Sequence, residues 1–186
     1  MALNLGDLYT GAHVKLTAPR AEDRESLARW SHDAEFQRLL FMNFVRPQPP
    51  DFFQLPKEED NLKYIVFHLR TVSEEKFIGF TNLWGFNWSS QSCMLAIGIG
   101  EPDFRGRGYG TEGLDLLVSY AFRELNMHRV GLVVFAFNER ALHVYERYGF
   151  VHEGRIREGN YRDGSYFDVI QMGILRPEWE HRSKNG

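Results

Sequence analysis

Residues 93–122 read CMLAIGIGEPDFRGRGYGTEGLDLLVSYAF and fall into three pieces. Met94 to Gly100 is a short apolar run rich in Ile and Gly, the pattern of a buried strand. Arg105 to Gly110, RGRGYG, is a glycine-rich turn that carries two cations. From Thr111 onward, Leu114, Leu117, Val118, Ala121 and Leu125 recur at i, i+3, i+4, i+7 and i+11, which predicts a helix with one apolar face. Strand, basic glycine turn and helix start together make an anion site. The first amides of a helix have no partner within it, and the helix dipole adds partial positive charge there. Glycine lets the backbone come close enough to a phosphate to present those amides. The stretch therefore predicts a phosphorylated ligand at residues 105–111.

The bulk composition narrows the classes. At 186 residues the chain reads as a single domain over 1–186, long enough to bury a core. A hydrophobic content of 43% with 25% charge is a globular balance and excludes a disordered chain. The formal net charge of -3 and pI near 6.2 lack the basic excess of a nucleic-acid binder. No apolar run approaches the roughly 20 residues that span a bilayer. The start, MALNLGDLYT, has neither the basic residues nor the apolar core of a secretory signal, so a cytoplasmic protein is expected. The one cysteine, Cys93, excludes an intramolecular disulfide, and its apolar neighbours read it as a small core residue rather than a nucleophile.

Along the chain, His13 to Leu16 (HVKL) predicts an opening strand. Pro19 and the acidic AEDRES begin a helix with Leu27 and Trp30 on its inner face. Segment 46–60, RPQPPDFFQLPKEED, holds four of the seven prolines and is a loop. Phe52 and Phe53 suit a loop folded over a site or an oligomer contact; a surface loop with two anchoring rings is the alternative. Tyr64–Leu69 and Phe77–Trp84, joined by the polar SEEK, predict a hairpin, and Asn87–Gln91 is a further turn. His128–Phe137 is nearly continuous in apolar and β-branched residues, as a strand buried on both faces should be. Asn138 caps a helix from Glu139 that turns Ala141, Leu142, Tyr145 and Tyr148 to one side and ends at Gly149. Beyond it, EGRIREG and Tyr161–Gly164 read as turns before a final strand near Tyr166–Leu175. Strands 93–100 and 129–137, joined by a crossover helix, should be parallel neighbours.

Two glycine patterns overlap at 105–113. Gly108, Gly110 and Gly113 satisfy G-x-G-x-x-G, the dinucleotide fingerprint of nicotinamide and flavin enzymes. Glu101 to Phe104 separate strand from glycines, strand 129–137 ends in Phe137-Asn138 rather than an acidic ribose partner, and less than half of the required sheet follows. Arg105 to Gly110 fit better the signature Q/R-x-x-G-x-G/A, and here the chain resembles the GNAT superfamily of acyl-CoA N-acyltransferases. Asn138 to Phe150, NERALHVYERYGF, is similar to the second signature of that family, N-x-x-A-x-x-x-Y-x-x-x-G-F. The opening KLTAPRAED and the tail GNYRDGSYFDVIQMGIL resemble the RimJ/RimL-like branch, and the tail also resembles bacterial spermidine acetyltransferases. The resemblance runs from about residue 14 to 176. It implies an α/β (α+β) GNAT fold, a central mixed and mostly antiparallel sheet with a splayed parallel strand pair, flanked by helices.

The resemblance further implies an N-acetyltransferase that moves acetyl from acetyl-CoA to a peptide N-terminus or a small amine, without a metal. Polyamine or aminoglycoside acetylation is the alternative acceptor chemistry, and an acyl-CoA-binding module without transfer is the alternative outside enzymes. Arg105, Gly106, Arg107, Gly108, Tyr109, Gly110 and Thr111 are expected on the pyrophosphate, mainly through backbone amides. Gly98, Ile99 and Gly100 would offer backbone groups to the pantetheine arm and the thioester carbonyl. Asn138 matches a coenzyme-touching position as well as a helix cap. Tyr145 matches the general acid that protonates the leaving thiolate, against a plain core aromatic. Glu101 is the candidate base, because an amine of pKa near 10.4 is only about one part in a thousand neutral at physiological pH. His143 reads as a surface residue. Phe86 and Trp88, with Phe52, are candidates for the acceptor pocket, and Glu58, Glu59 and Asp60 for drawing a cationic amine. A homodimer or higher homo-oligomer is expected, with no nucleic-acid or membrane partner.

Overall fold

The computed structural model describes residues 7–57 and 63–185, and the acidic run Glu58–Asp60 lies outside them. Among the described residues seven strands form one sheet in the order β1-β2-β3-β4-β5-β7-β6. These are β1 (Val14–Thr17), β2 (Tyr64–Thr71), β3 (Phe77–Asn87), β4 (Ser92–Ile99), β5 (Arg129–Phe135), β6 (Val151–Arg162) and β7 (Ser165–Leu175). The helices are α1 (Arg24–Ser31), α2 (Ala34–Leu40), α3 (Tyr109–Arg123), α4 (Glu139–Tyr148) and α5 (Arg176–Asn185).

Only β4 and β5 run parallel, and they do so briefly. Their register covers Ser92↔Arg129, Cys93↔Val130 and Met94↔Gly131, and stops there. Every other strand pair is antiparallel. The expected hairpin, the parallel pair and the crossover helix are all present. So is a mixed sheet that opens along its middle.

The two faces of that sheet carry different jobs. On one face α3 buries Leu114, Leu117, Val118 and Ala121 against Leu83, Leu95, Val130 and Leu132, while Trp179 of α5 packs on Phe122. Cys93 belongs to this core, where burial pushes its thiol up to about 12, so it stays protonated and inert. The other face is covered by α1 and α2. Trp30, Phe36 and Phe77 form a separate aromatic cluster there.

Three elements depart from the sequence reading. EGRIREG is not a turn but the middle of β6, an edge strand whose side chains are mostly exposed. Two register shifts, at His152/Gly154 and Ile156/Asn160, break its alternation, and the second puts Glu158 at φ 53. A polar, bulged edge strand has the composition of a loop. Helix α2 follows Asp33, whose carboxylate accepts the Phe36 amide at 3.0 Å as an N-cap. Helix α5 starts where the Leu175 amide donates to Glu178 at 2.8 Å.

Candidate active site

A cleft of about 380 Å³ opens where β4 leaves β5. Its walls are Ile97, Gly98 and Ile99 of β4, Arg105, Gly106 and Gly108 of the turn, the start of α3 at Gly110 and Thr111, and Asn138 with Ala141 and Tyr145 of α4. Of the expected coenzyme residues, Gly98, Ile99, Arg105, Gly106, Gly108, Gly110, Thr111 and Asn138 border it, and Gly100, Arg107 and Tyr109 do not. Gly106 has φ 74 and Gly108 φ 91, the left-handed region that glycine enters without strain. Gly108 caps α3, so the amides of Tyr109, Gly110 and Thr111 precede the first intrahelical bond, Glu112 N–H to the Gly108 carbonyl at 3.0 Å. A Cβ at Gly108 would meet nothing within 4 Å, which leaves room for a ligand against the turn.

The β4 wall is more specific than its sequence. The Gly100 amide donates to the Ile78 carbonyl at 2.9 Å, which fixes the alternation of the β3–β4 ladder. Even-numbered Ala96 and Gly98 spend their peptide groups on β3, and Gly100, just past the strand, spends its amide there. Odd-numbered Ile97 and Ile99 turn theirs to the opened edge. Ile97, absent from the expected set, is therefore a wall of the cleft, and the alternation is what could have found it. Gly100 is instead a packing residue: its carbonyl accepts from Arg105 at 2.6 Å, and a Cβ would lie 2.1 Å from the Trp30 ring.

Arg105 has a different task from the one its charge suggests. Nε donates to the Ile99 carbonyl at 2.9 Å, Nη1 pairs with Asp33 at 2.9 Å, and the guanidinium lies 4.9 Å from the Phe36 ring centre. The side chain ties the turn to β4 and α2, so any phosphate contact from this residue falls to its backbone. Arg107 is exposed and donates to the Asp103 carbonyl at 3.2 Å. The Tyr109 ring packs edge-on against Phe104 at 5.2 Å.

Asn138 caps α4, its side-chain oxygen accepting the Ala141 amide at 3.2 Å, and borders the cleft as well. Tyr145 faces the same cleft. Its ring is edge-on to Phe150 at 5.8 Å, and burial pushes its hydroxyl up to about 12, so it holds its proton at neutral pH. His143 is exposed, as its helical phase requires.

Glu101 does not fit the base role. It borders neither the cleft nor the larger cavity described below, and its carboxylate is taken by Arg29, with Nη1 at 3.4 Å and Nη2 in closer contact. Burial works to raise its pKa, but the Arg29 guanidinium outweighs that and holds it below the usual carboxylate range. Phe86 and Trp88 are also misplaced. Their rings stack at 5.0 Å by the β3–β4 turn, near the Asn87↔Ser92 pair. Six residues of β4, about 20 Å of strand, separate that end from Gly98.

The second space is a cavity of about 510 Å³ on the α1–α2 face. Its floor is Tyr64, Val66 and His68 of β2 with Phe80 and Asn82 of β3; its lid is the proline-rich loop, including Phe52 and Phe53. Phe36 borders both cavity and cleft. His68 pairs with Phe80, and Phe80 with Gly98, so the three lie in one row across the sheet. That puts His68 about 10 Å from the cleft edge, two strand spacings away. His68 Nδ1 is 2.6 Å from Asp23 Oδ2, and Asp23 also binds Arg70. Burial lowers the imidazole pKa despite the raising effect of Asp23, so the ring is neutral at neutral pH. Nδ1–H to Asp23 leaves Nε2 as an acceptor. Nothing in the local sequence of β2 distinguishes this histidine from a core residue.

The sequence matches the family described as Acetyltransferase (GNAT) domain over residues 13–151. The chain belongs to the GNAT acetyltransferase family. Over 174 residues it is 33% identical to spermidine N(1)-acetyltransferase of Vibrio cholerae, covering 89% of this chain and 96% of that protein. It is 29% identical to the Escherichia coli K12 spermidine N(1)-acetyltransferase, covering 62% and 67%. The fold matches a probable acetyltransferase of known structure with a TM-score of 0.78 at 26% identity, covering 91% and 96%. It also matches the Vibrio cholerae spermidine N-acetyltransferase in complex with CoA and spermine, with a TM-score of 0.78 at 24% identity, covering 91% and 99%. Acetyl-CoA is the co-substrate of the family, and the glycine turn, free helix amides and open β4 edge suit it. Among the described residues no cluster of His, Cys, Asp or Glu is arranged to hold a metal.

Proposed function

We propose that this single domain transfers acetyl from acetyl-CoA to a primary amine held in the aromatic cavity, with Tyr145 as general acid and His68 as proton acceptor. The observation that supports this most is the shared boundary at Phe36, packed on Gly98, where the coenzyme cleft meets a separate cavity on the α1–α2 face of the sheet. The pyrophosphate rests on the amides of Gly106–Thr111, and the pantetheine runs along the Ile97–Ile99 edge. The amine lone pair attacks the thioester carbonyl carbon, forming the C–N bond as the C–S bond breaks. Charge growing on the carbonyl oxygen meets the edge N–H groups of β4. The proton lost by the amine passes through water to His68 Nε2, and the Tyr145 proton goes to the leaving sulfur.

The relatives point to a polyamine acceptor, and a peptide N-terminus is the other amine that the branch resemblance implies. A cytoplasmic setting accords with one buried, unreacted thiol. A homo-oligomer is the expected assembly; a structure of the Vibrio relative is described as dodecameric. The catalytic reading is tested at Tyr145. Tyr145→Phe should cut turnover about 100-fold or more while CoA affinity stays nearly constant. Unchanged turnover would remove Tyr145 from the mechanism.

A further inference from the structure

We infer that the accepted amine also carries an anionic group, a carboxylate or a phosphate, on an aromatic or bulky apolar body. The inference rests on the acetyl-transfer reading and names the substrate class of that site. Among the described residues, the permanently charged side chains that border the aromatic cavity are Arg20, Arg24 and Arg46, and no carboxylate borders it. Arg20 is turned to Glu75 at 3.5 Å and Glu22 at 3.9 Å. Arg24 is different. It makes no ion pair with a described residue, and its Nε is buried without a hydrogen-bond partner. Arg46 rests over the Phe44 ring at 5.9 Å and likewise has no acidic partner among the described residues.

A buried guanidinium N–H without a partner is costly, and such groups are normally satisfied by something. The planar fork of arginine matches a carboxylate or phosphate through two parallel hydrogen bonds. The rest of the cavity supplies the complementary end. The Asn82 side-chain oxygen is buried and unpaired, and His68 stands beside it on β2, so acceptors face the amine while donors face the anion. The aromatic lining includes Trp30, Phe36 and Phe80. Arg24 begins α1 and Arg29, on Glu101, lies near its end, so the anion end is set back about 7 Å along the helix from the end of β4. A polyamine would bring further ammonium groups to a wall of guanidiniums. That like-charge contact discriminates against it.

The test uses the full chain with acetyl-CoA and pairs of amines that differ in the anion. These are 4-(aminomethyl)benzoate against 4-methylbenzylamine, tyramine phosphate against tyramine, and 6-aminohexanoate against hexylamine, with spermidine alongside. Released CoA and the acetylated amine are measured together. In at least one pair the anionic member should exceed its neutral twin and spermidine at least about tenfold in kcat/KM, as a charge-assisted hydrogen bond provides. Whether the carboxylate or the phosphate pair shows the gain identifies the anion. Arg24→Ala should bring that ratio toward one without changing the thermal shift by CoA, and Arg24→Glu should raise spermidine turnover. If either variant misfolds, as CoA binding would reveal, Arg46→Ala is read in its place. Spermidine or the neutral twins matching the anionic amines, or an unchanged ratio in the folded arginine variants, overturns the inference but keeps the transferase. CoA binding with no transfer to any amine overturns both.

Discussion

At Glu101 and His68, charge in the sequence and chemistry in the fold come apart. Both are ionisable residues near the strand row that ends at Gly98, yet only His68 opens to a cavity and keeps a basic lone pair. Glu101→Gln should leave turnover within about threefold of wild type and lower Tm by a few degrees, through loss of the Arg29 pairing. A collapse of turnover at constant Tm would return the base role to Glu101. His68→Gln keeps a donor for Asp23 and should reduce turnover by on the order of 10²-fold. The sign of the pH response follows from the lowered imidazole pKa. A neutral His68 persists at and above its ordinary pKa of about 6.5, so wild-type activity and its share of stability are full there. Both fall as the pH drops through the lowered folded value, when the ring charges beside Arg70. The acid limb of kcat/KM should move in His68→Gln.

Among the elements, the glycine turn and α3 were legible because their physics is local. Apolar spacing gave the helix, and positive φ at Gly106 and Gly108 is what glycine at those two positions permits. Gly108→Ala isolates the backbone contribution, since its Cβ meets nothing. The left-handed conformation should cost roughly 1–2 kcal/mol, or about 2–8 °C in Tm, and weaken CoA binding more than it weakens the fold. An alanine variant with wild-type Tm and CoA affinity would contradict the cradle. The misread elements have non-local causes. β6 is a strand because β7 pairs with it, although its own residues Glu153–Gly159 are polar and bulged. The β4 edge was legible as a stretch, but which peptide groups face outward depends on the bond from Gly100 to Ile78 across the hairpin. Phe86 and Trp88 failed for a similar reason. Their aromatic character was visible, and the strand direction that carries them to the far end of the sheet was not.

For the whole molecule, the sheet divides the labour. One face holds the core that stabilises α3, α4 and α5, and the other holds a cavity roofed by the proline-rich loop. The opening between β4 and β5 joins them. That division leaves β6 as an exposed edge carrying Val151, Ile156 and Tyr161, with Tyr166 on β7 beside Tyr161. An unpaired edge strand that exposes apolar side chains is normally covered, so light scattering should give a mass above the 21.7 kDa chain. Replacing Ile156 and Tyr161 by Lys should lower that mass, and a monomer in wild type would contradict it. The central claim is chemical, and its most direct measurement follows free CoA and acetylated amine in one reaction with acetyl-CoA. Equal amounts of both are expected, released only when an amine is present and nearly abolished in Tyr145→Phe. CoA release that is the same with and without every amine tested, in a protein that still binds CoA, would contradict it.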